Sequence, residues 1–161
     1  MNMLPKLHLV ARVVAAERLL AREVDLASDQ RAEMAAAALA VLDDPQFAAV
    51  FGPGSRAEVA LAGATARFPE GLAVSGRVDR LLVEDRRVLV ADFKTNRPSP
   101  ARIEDADGAY VLQMAVYWAV LREIFPGRSV EAALVWTDGP KLMAVPEKLM
   151  LRALDEMARV S

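Results

Sequence analysis

Three charged residues stand where a strand-forming stretch should be apolar. In "GRVDRLLVEDRRVLVADFKTN", residues 76–96, Asp79, Asp92 and Lys94 interrupt two runs of valine and leucine. A turn at Glu84 to Arg87, with Asp85 and Arg86 as its loop, pairs Val83 with Val88, Leu82 with Leu89 and Leu81 with Val90. Continued, this register sets Asp79 opposite Asp92 and Arg77 opposite Lys94. Alternation then gathers Arg77, Asp79, Leu81 and Val83 on one face with Val88, Val90, Asp92 and Lys94. The other face carries Val78, Leu82, Leu89, Ala91 and Phe93, and is apolar apart from Arg80. Strands with two apolar faces are expected to be central and covered on both sides.

Two facing carboxylates would lie roughly 5 Å apart at Cβ and repel each other. One must take up a proton, or a cation must neutralise both. A divalent ion meets this demand, since hard cations bind carboxylate oxygens, magnesium at about 2.0–2.1 Å. The chain has no cysteine and one histidine, His8, so any metal ligands should be mainly oxygens, which points to magnesium or manganese. Lys94 could orient a water or offset charge on a pentavalent phosphate transition state. The structural alternative is an ion-pair cluster in which Arg77 and Lys94 neutralise the two aspartates.

The elements that must hold these residues follow from periodicity. Apolar spacing predicts a helix through "LHLVARVVAAERLLARE" and a second, capped by Ser28, through "DQRAEMAAAALAVLDD". Asp44 and Pro45 suggest an N-cap and first residue of a short helical piece ending near Phe51, before the "GPGS" loop. From Arg56 the period becomes that of strands: "RAEVALAG", a turn at "FPEG", then the two strands of the charged hairpin. After the irregular "RPSPARIEDADG", Asp107 should cap a helix from Tyr110 to about Phe125, ended by "PGRS". "VEAALVW", "TDGP" and "KLMAV" read as a second hairpin in which Asp138 shapes the turn, and a last helix follows Pro146.

Composition narrows the possibilities. With 161 residues, 54% hydrophobic and 26% charged, the chain fits one ordinary globular domain. A net charge of −2 gives no global basic signal, so any nucleic-acid contact must come from a local patch. The lack of cysteine excludes disulfides, thiolate nucleophiles and iron–sulfur clusters in this chain. No Walker A pattern occurs, so no bound nucleotide is expected. "YVLQMAVYWAVL" is too short for a membrane span, and Arg12 interrupts the one candidate signal-peptide core. A soluble, cytoplasmic protein is the plain expectation.

The complete pattern is Asp79, then Asp92-Phe93-Lys94, then Gln113 and Tyr117 one helical turn apart. It resembles the RecB-type branch of the PD-(D/E)XK nuclease superfamily. The strings "GRVDRLLV", "VADFKTNRP", "YVLQMAVYWAVL" and "AALVWTDGP" are similar to the C-terminal nuclease domain of AddA, a bacterial helicase–nuclease subunit of double-strand-break repair. The resemblance runs from about Glu58 to Pro146. It implies that Asp79 and Asp92 bind the catalytic Mg2+ or Mn2+ with the backbone carbonyl of Phe93, and that Lys94 is the catalytic lysine. It further implies that Gln113 and Tyr117 form a Q-x-x-x-Y motif that places the DNA strand.

Beside these, Tyr110 lies a turn before Gln113 and could contact DNA. Arg77, Arg80, Arg97 and Arg102 lie near the proposed site and could contact phosphates, or could be scattered surface arginines. Glu58 could be an outer ligand or help position metal or water, and a solvated strand residue is the alternative.

One departure stands out. The family carries a further metal-ligand histidine in an upstream "G-x-x-x-H-x-L-L"-like segment, which this sequence lacks, and His8 lies outside that motif. The expected chain is therefore a fragment of a longer polypeptide. Residues 1–54 would be a helical N-terminal segment and 55–161 the nuclease core, in an α/β fold of restriction-endonuclease type with a mixed sheet of about five strands. The implied partners are DNA, an AddB-type subunit and the helicase part of the same protein. A non-catalytic module that holds DNA or docks a partner is the competing reading.

Overall fold

A computed structural model of the chain describes residues 28, 29, 31, 32, 35, 36, 39, 43, 45, 47–138 and 141–160. Five strands form one sheet in sequence order: β1 (Ser55–Gly63), β2 (Val74–Val83), β3 (Arg87–Lys94), β4 (Ser129–Trp136) and β5 (Lys141–Ala144). Neighbours pair antiparallel except β3 and β4, which run parallel. A parallel pair needs a crossover, and helix α1 (Gly108–Ile124) supplies it. Helix α2 (Glu147–Val160) follows β5. This is the expected mixed five-stranded α/β sheet with flanking helices.

The β2–β3 hairpin has the predicted register, from Val83 opposite Val88 to Leu81 opposite Val90, and the Glu84 N–H donates to the Arg87 carbonyl at 2.8 Å. Beyond Arg80 and Ala91 the ladder ends. Asp79 and Asp92 are therefore not a ladder pair, contrary to the simple extrapolation of the register.

Side chains of β3 keep strict alternation. Val88 and Val90 join the core beneath α1, whereas Leu89, Ala91 and Phe93 join the core on the opposite face. In β2 the alternation slips at Asp79: Leu81 packs beneath α1 as expected, but so does Val78, while Arg77 is exposed. The partner strand slips with it. Ser55 contacts Arg80 on one side of the sheet, yet Val59 and Leu61 pack on the α1 side. Between them Glu58 has φ +51°, a left-handed conformation costing a non-glycine residue about 1–2 kcal/mol. Glu58 and Asp79 both drop out of a ladder whose pairs on either side, Ala57–Arg80 and Val59–Val78, keep one register.

Helix α1 explains the apolar run that the sequence shows. Its eight residues Met114 to Leu121 are buried on every side, because the sheet lies against one face and α2 against another. Asp107 caps it as expected, its carboxylate accepting from the Ala109 N–H at 2.9 Å. Gly127, at φ +85°, turns the chain back into β4. No helix among the described residues is long and apolar enough to cross a membrane.

The other face of the sheet is covered by a 3₁₀ turn, Ala48–Phe51, and by Ala35 and Leu39. The turn ends at Phe51 as expected but begins after Phe47, and Pro45 lies in the bend before it. Residues 28, 29, 31, 32, 35, 36 and 39 are all helical. The helix expected over 7–23 and the Asp44 cap lie outside the described residues.

Among the described residues, Arg80 is the one buried arginine, 2% exposed. Its Nε donates to the Val50 carbonyl at 3.2 Å, a terminal nitrogen donates to Ser55 Oγ, and the guanidinium lies 5.7 Å from the Phe51 ring centre. Burial pushes its pKa down to about 10, which leaves it charged at neutral pH. Arg80 ties the 48–51 turn to the sheet, so it does not offer the phosphate-facing surface that its sequence position suggested. Replacing Arg80 with Ala should cost about 2–4 kcal/mol, because it opens a cavity and strands the Val50 carbonyl. Urea unfolding at neutral pH checks this, and a loss below about 1 kcal/mol would refute the structural role.

Candidate active site

Asp92 and Lys94 occupy the last turn of pleat in β3, both on the α1 side. The Lys94 ammonium donates to Asp92 Oδ2 at 2.9 Å and to Gln113 Oε1 at 2.8 Å. Both ends of the Lys94–Asp92 pair are largely buried, so this contact is screened far less than a surface ion pair. The Lys94 Nζ lies over the Tyr110 ring, 4.3 Å from its centre, and the Trp136 ring lies against Tyr110 with centroids 6.0 Å apart. Trp136 is the β4 residue paired with Lys94, and the Thr137 N–H donates to the Lys94 carbonyl at 3.1 Å.

Asp79 reaches this group from β2. Its Oδ2 accepts a 2.8 Å hydrogen bond from the Phe93 N–H, so a carboxylate takes the place of a ladder carbonyl where the strands part. Asp79 is thereby held beside the residue between Asp92 and Lys94. The Phe93 ring points to the opposite face, 5.7 Å from Phe51. β3 is thus anchored below while its charged residues face α1.

Gln113 and Tyr117 act as one unit. Gln113 Nε2 donates to the Tyr117 hydroxyl at 3.4 Å, and that hydroxyl donates to the Arg77 carbonyl at 3.2 Å. With its amide nitrogen turned to Tyr117, Gln113 presents its oxygen to Lys94. Desolvation raises the Tyr117 pKa, and the negative charges of Asp92 and Asp79 push in the same direction, against the opposing hydrogen bond from Gln113. Gly76 permits the close approach of Tyr117: a Cβ there would meet Tyr117 Oη at 2.9 Å.

The remaining residues singled out from sequence divide plainly. Arg77, Arg97 and Arg102 are exposed; Arg97 pairs with Asp138 at 3.4 Å and Arg102 with Asp105 at 3.3 Å. Asp138 does more than shape its turn, since its Oδ2 accepts the Ser99 N–H at 3.0 Å and ties the loop after β3 to the β4–β5 turn. Trp136 and this Asp138 tie were not foreseen, because "LVWTDGP" carries them in a stretch that reads as an ordinary hairpin.

The donor set suits a small hard cation. Asp79 offers a carboxylate at the Phe93 amide and Asp92 one at the Lys94 ammonium, and among the described residues no group of three or more Asp, Glu or His forms here, Glu58 included. Magnesium fits such a pair, since it is commonly held by one or two carboxylates and completes its shell with waters and substrate phosphate.

Over residues 5–156 the sequence matches the family model described as the PD-(D/E)XK nuclease superfamily. The chain belongs to that superfamily. One solved structure, titled "Crystal structure of SSO0001", is similar at 12% identity over 94% of this chain and 74% of that one, with a TM-score of 0.42. No curated protein matches the chain.

Two outcomes follow from the geometry around Tyr117. Gly76→Ala should displace the phenol, costing about 1–3 kcal/mol by overpacking. The same variant should also lower any metal-dependent cleavage, which parallel unfolding and DNA-cleavage assays would register. Because the folded pKa of Tyr117 is raised, its contribution is present below the ordinary tyrosine value near 10 and is lost as pH climbs towards the folded value. Urea midpoints should therefore fall above about pH 10, and Tyr117→Phe should flatten that fall. An equal fall in both proteins would assign it elsewhere.

Proposed function

We propose that this domain hydrolyses DNA phosphodiester bonds, with Asp79, Asp92 and Lys94 as its reacting centre. The observation that carries the reading is the buried Lys94 ammonium, held at 2.9 Å from Asp92 and 2.8 Å from Gln113 beside the Asp79 carboxylate. A surface ion pair would need no such support from three elements.

Asp79 and Asp92 would hold a Mg2+ or Mn2+ ion, with the Phe93 carbonyl as a further ligand. When bound, such an ion supplies Lewis acidity towards a phosphoryl oxygen and makes water a better nucleophile. Lys94 would orient such a water and offset negative charge as the phosphate becomes pentavalent. Gln113 orients Lys94, and Tyr117 orients Gln113. Arg77 and Arg97, exposed on the surface, would contact flanking phosphates in a salt-dependent way. Arg97 would do so from its place beside Asp138.

The similarity of "GRVDRLLV", "VADFKTNRP" and "LVWTDGP" to AddA supports a finer assignment: an exonuclease domain of an AddA/RecB-type helicase–nuclease in bacterial double-strand-break repair. On that reading the domain works in the cytoplasm, with a helicase part of the same polypeptide and an AddB-type subunit as partners.

The deciding assay is degradation of end-labelled single-stranded DNA with magnesium or manganese, comparing the chain with Asp92→Asn. Asparagine keeps the shape and can still accept from Lys94, so folding should be retained by circular dichroism. Metal-dependent cleavage by the parent, lost in the variant, is the expected result. Cleavage at equal rates in both proteins, or DNA binding with no metal-promoted cleavage in either, would overturn the assignment and favour a non-catalytic docking module.

A further inference from the structure

Lys94 is a flexible side chain asked to hold one position, and oxygen contacts alone do not confine it. An ammonium has three N–H donors. Asp92 Oδ2 and Gln113 Oε1 take two of them. The remaining side is met by the face of the Tyr110 ring, its centre 4.3 Å from Nζ, well within the range of a cation–π contact.

The ring is itself immobilised. Tyr110 lies in the first turn of α1, three residues before Gln113, so both project from one face of the helix. Trp136 is 2% exposed, and its indole packs against the Tyr110 ring with planes tilted by 57°. The indole N–H has no hydrogen-bond acceptor among the described residues, so what Trp136 contributes at this point is ring surface. Trp136 also stands beside Lys94 in the parallel β3–β4 register, which ties the aromatic support to the strand that carries the lysine.

We propose that Tyr110 is a positioning residue: its ring, held in contact with Trp136, fixes the Lys94 ammonium between Asp92 and Gln113. The role belongs to the aromatic face and not to the hydroxyl. Its effect on turnover rests on the nuclease reading above, whereas the clamp itself does not.

Tyr110→Phe and Tyr110→Leu separate the possibilities. In the metal-free protein, limiting acetylation with an N-hydroxysuccinimide ester, read by peptide mass spectrometry, reports how freely the Lys94 amine moves. Lys141, which donates to the Pro100 carbonyl at 2.9 Å, serves as the internal control for folding. The Leu variant should raise Lys94 labelling by about threefold or more at unchanged Lys141 labelling, and Phe should match the parent. With magnesium and end-labelled single-stranded DNA, Leu should lower kcat by about three- to tenfold with KM little changed, and Phe should restore it. Unchanged Lys94 labelling in the Leu variant overturns the proposal. So does a raised KM shared by Phe and Leu, which would make the hydroxyl a DNA contact. If the parent shows no metal-dependent cleavage, the nuclease reading fails, while the labelling comparison still decides the clamp.

Discussion

Where β2 and β3 part, a carboxylate replaces a carbonyl, and the rest of the site depends on that exchange. A buried strand cannot leave an amide without an acceptor, because each lost partner costs about 1–3 kcal/mol. Asp79 meets the Phe93 N–H and so lets the hairpin open without that loss. The opening gives Asp92 and Lys94 room to face α1 instead of being closed under a cross-strand neighbour. It also forces the pleat of β1 and β2 to change phase together, which accounts for the left-handed backbone of Glu58. One acidic side chain thus shapes three strands. The same carboxylate is a metal-ligand candidate, so folding and chemistry draw on a single group.

The second fixed point is α1. Most of the candidate site lies in one β–α–β passage, from Asp92 through Tyr110, Gln113 and Tyr117 to Trp136, and the helix within it is the crossover demanded by the parallel pair. The chain therefore cannot form this sheet without bringing Gln113 to Lys94. The glycine at position 76 completes the arrangement from outside the passage, since only a residue without Cβ lets Tyr117 reach the Arg77 carbonyl.

Much of this was legible in the sequence, and the limits are physical. The hairpin register followed from loop length and apolar pairing, and the helix start from a capping aspartate. The identity of the charged trio followed from its placement among valines and leucines. Asp79 opposite Asp92 was the wrong extrapolation, since alternation assumes an unbroken ladder and a side chain that accepts a backbone amide breaks it. Val78 was misplaced for the same reason, because the phase slip beside Asp79 turns it under α1, whereas Arg80 keeps the face that alternation gave it and only its burial went unread. A guanidinium can be buried against a carbonyl, a hydroxyl and a ring, and none of these partners is adjacent in sequence. The Tyr110–Trp136 contact joins residues separated by a helix and a turn, which no local periodicity reports.

The burial of α1 on all sides limits how this protein can accommodate a ligand. Sliding or rotating a helix with eight consecutive buried residues would disturb a close-packed interior, and such openings require energies near that of global unfolding. Gln113 and Tyr117 are therefore effectively rigid on the timescale of ligand encounter. Adjustment falls to the connections, chiefly residues 95–102, which Ser99 ties to Asp138 and Pro100 to Lys141, before Ile103 and Ala106 rejoin the core. Slow hydrogen exchange would mark the helix and fast exchange the loop, so that the site behaves as a stiff floor under an adaptable rim.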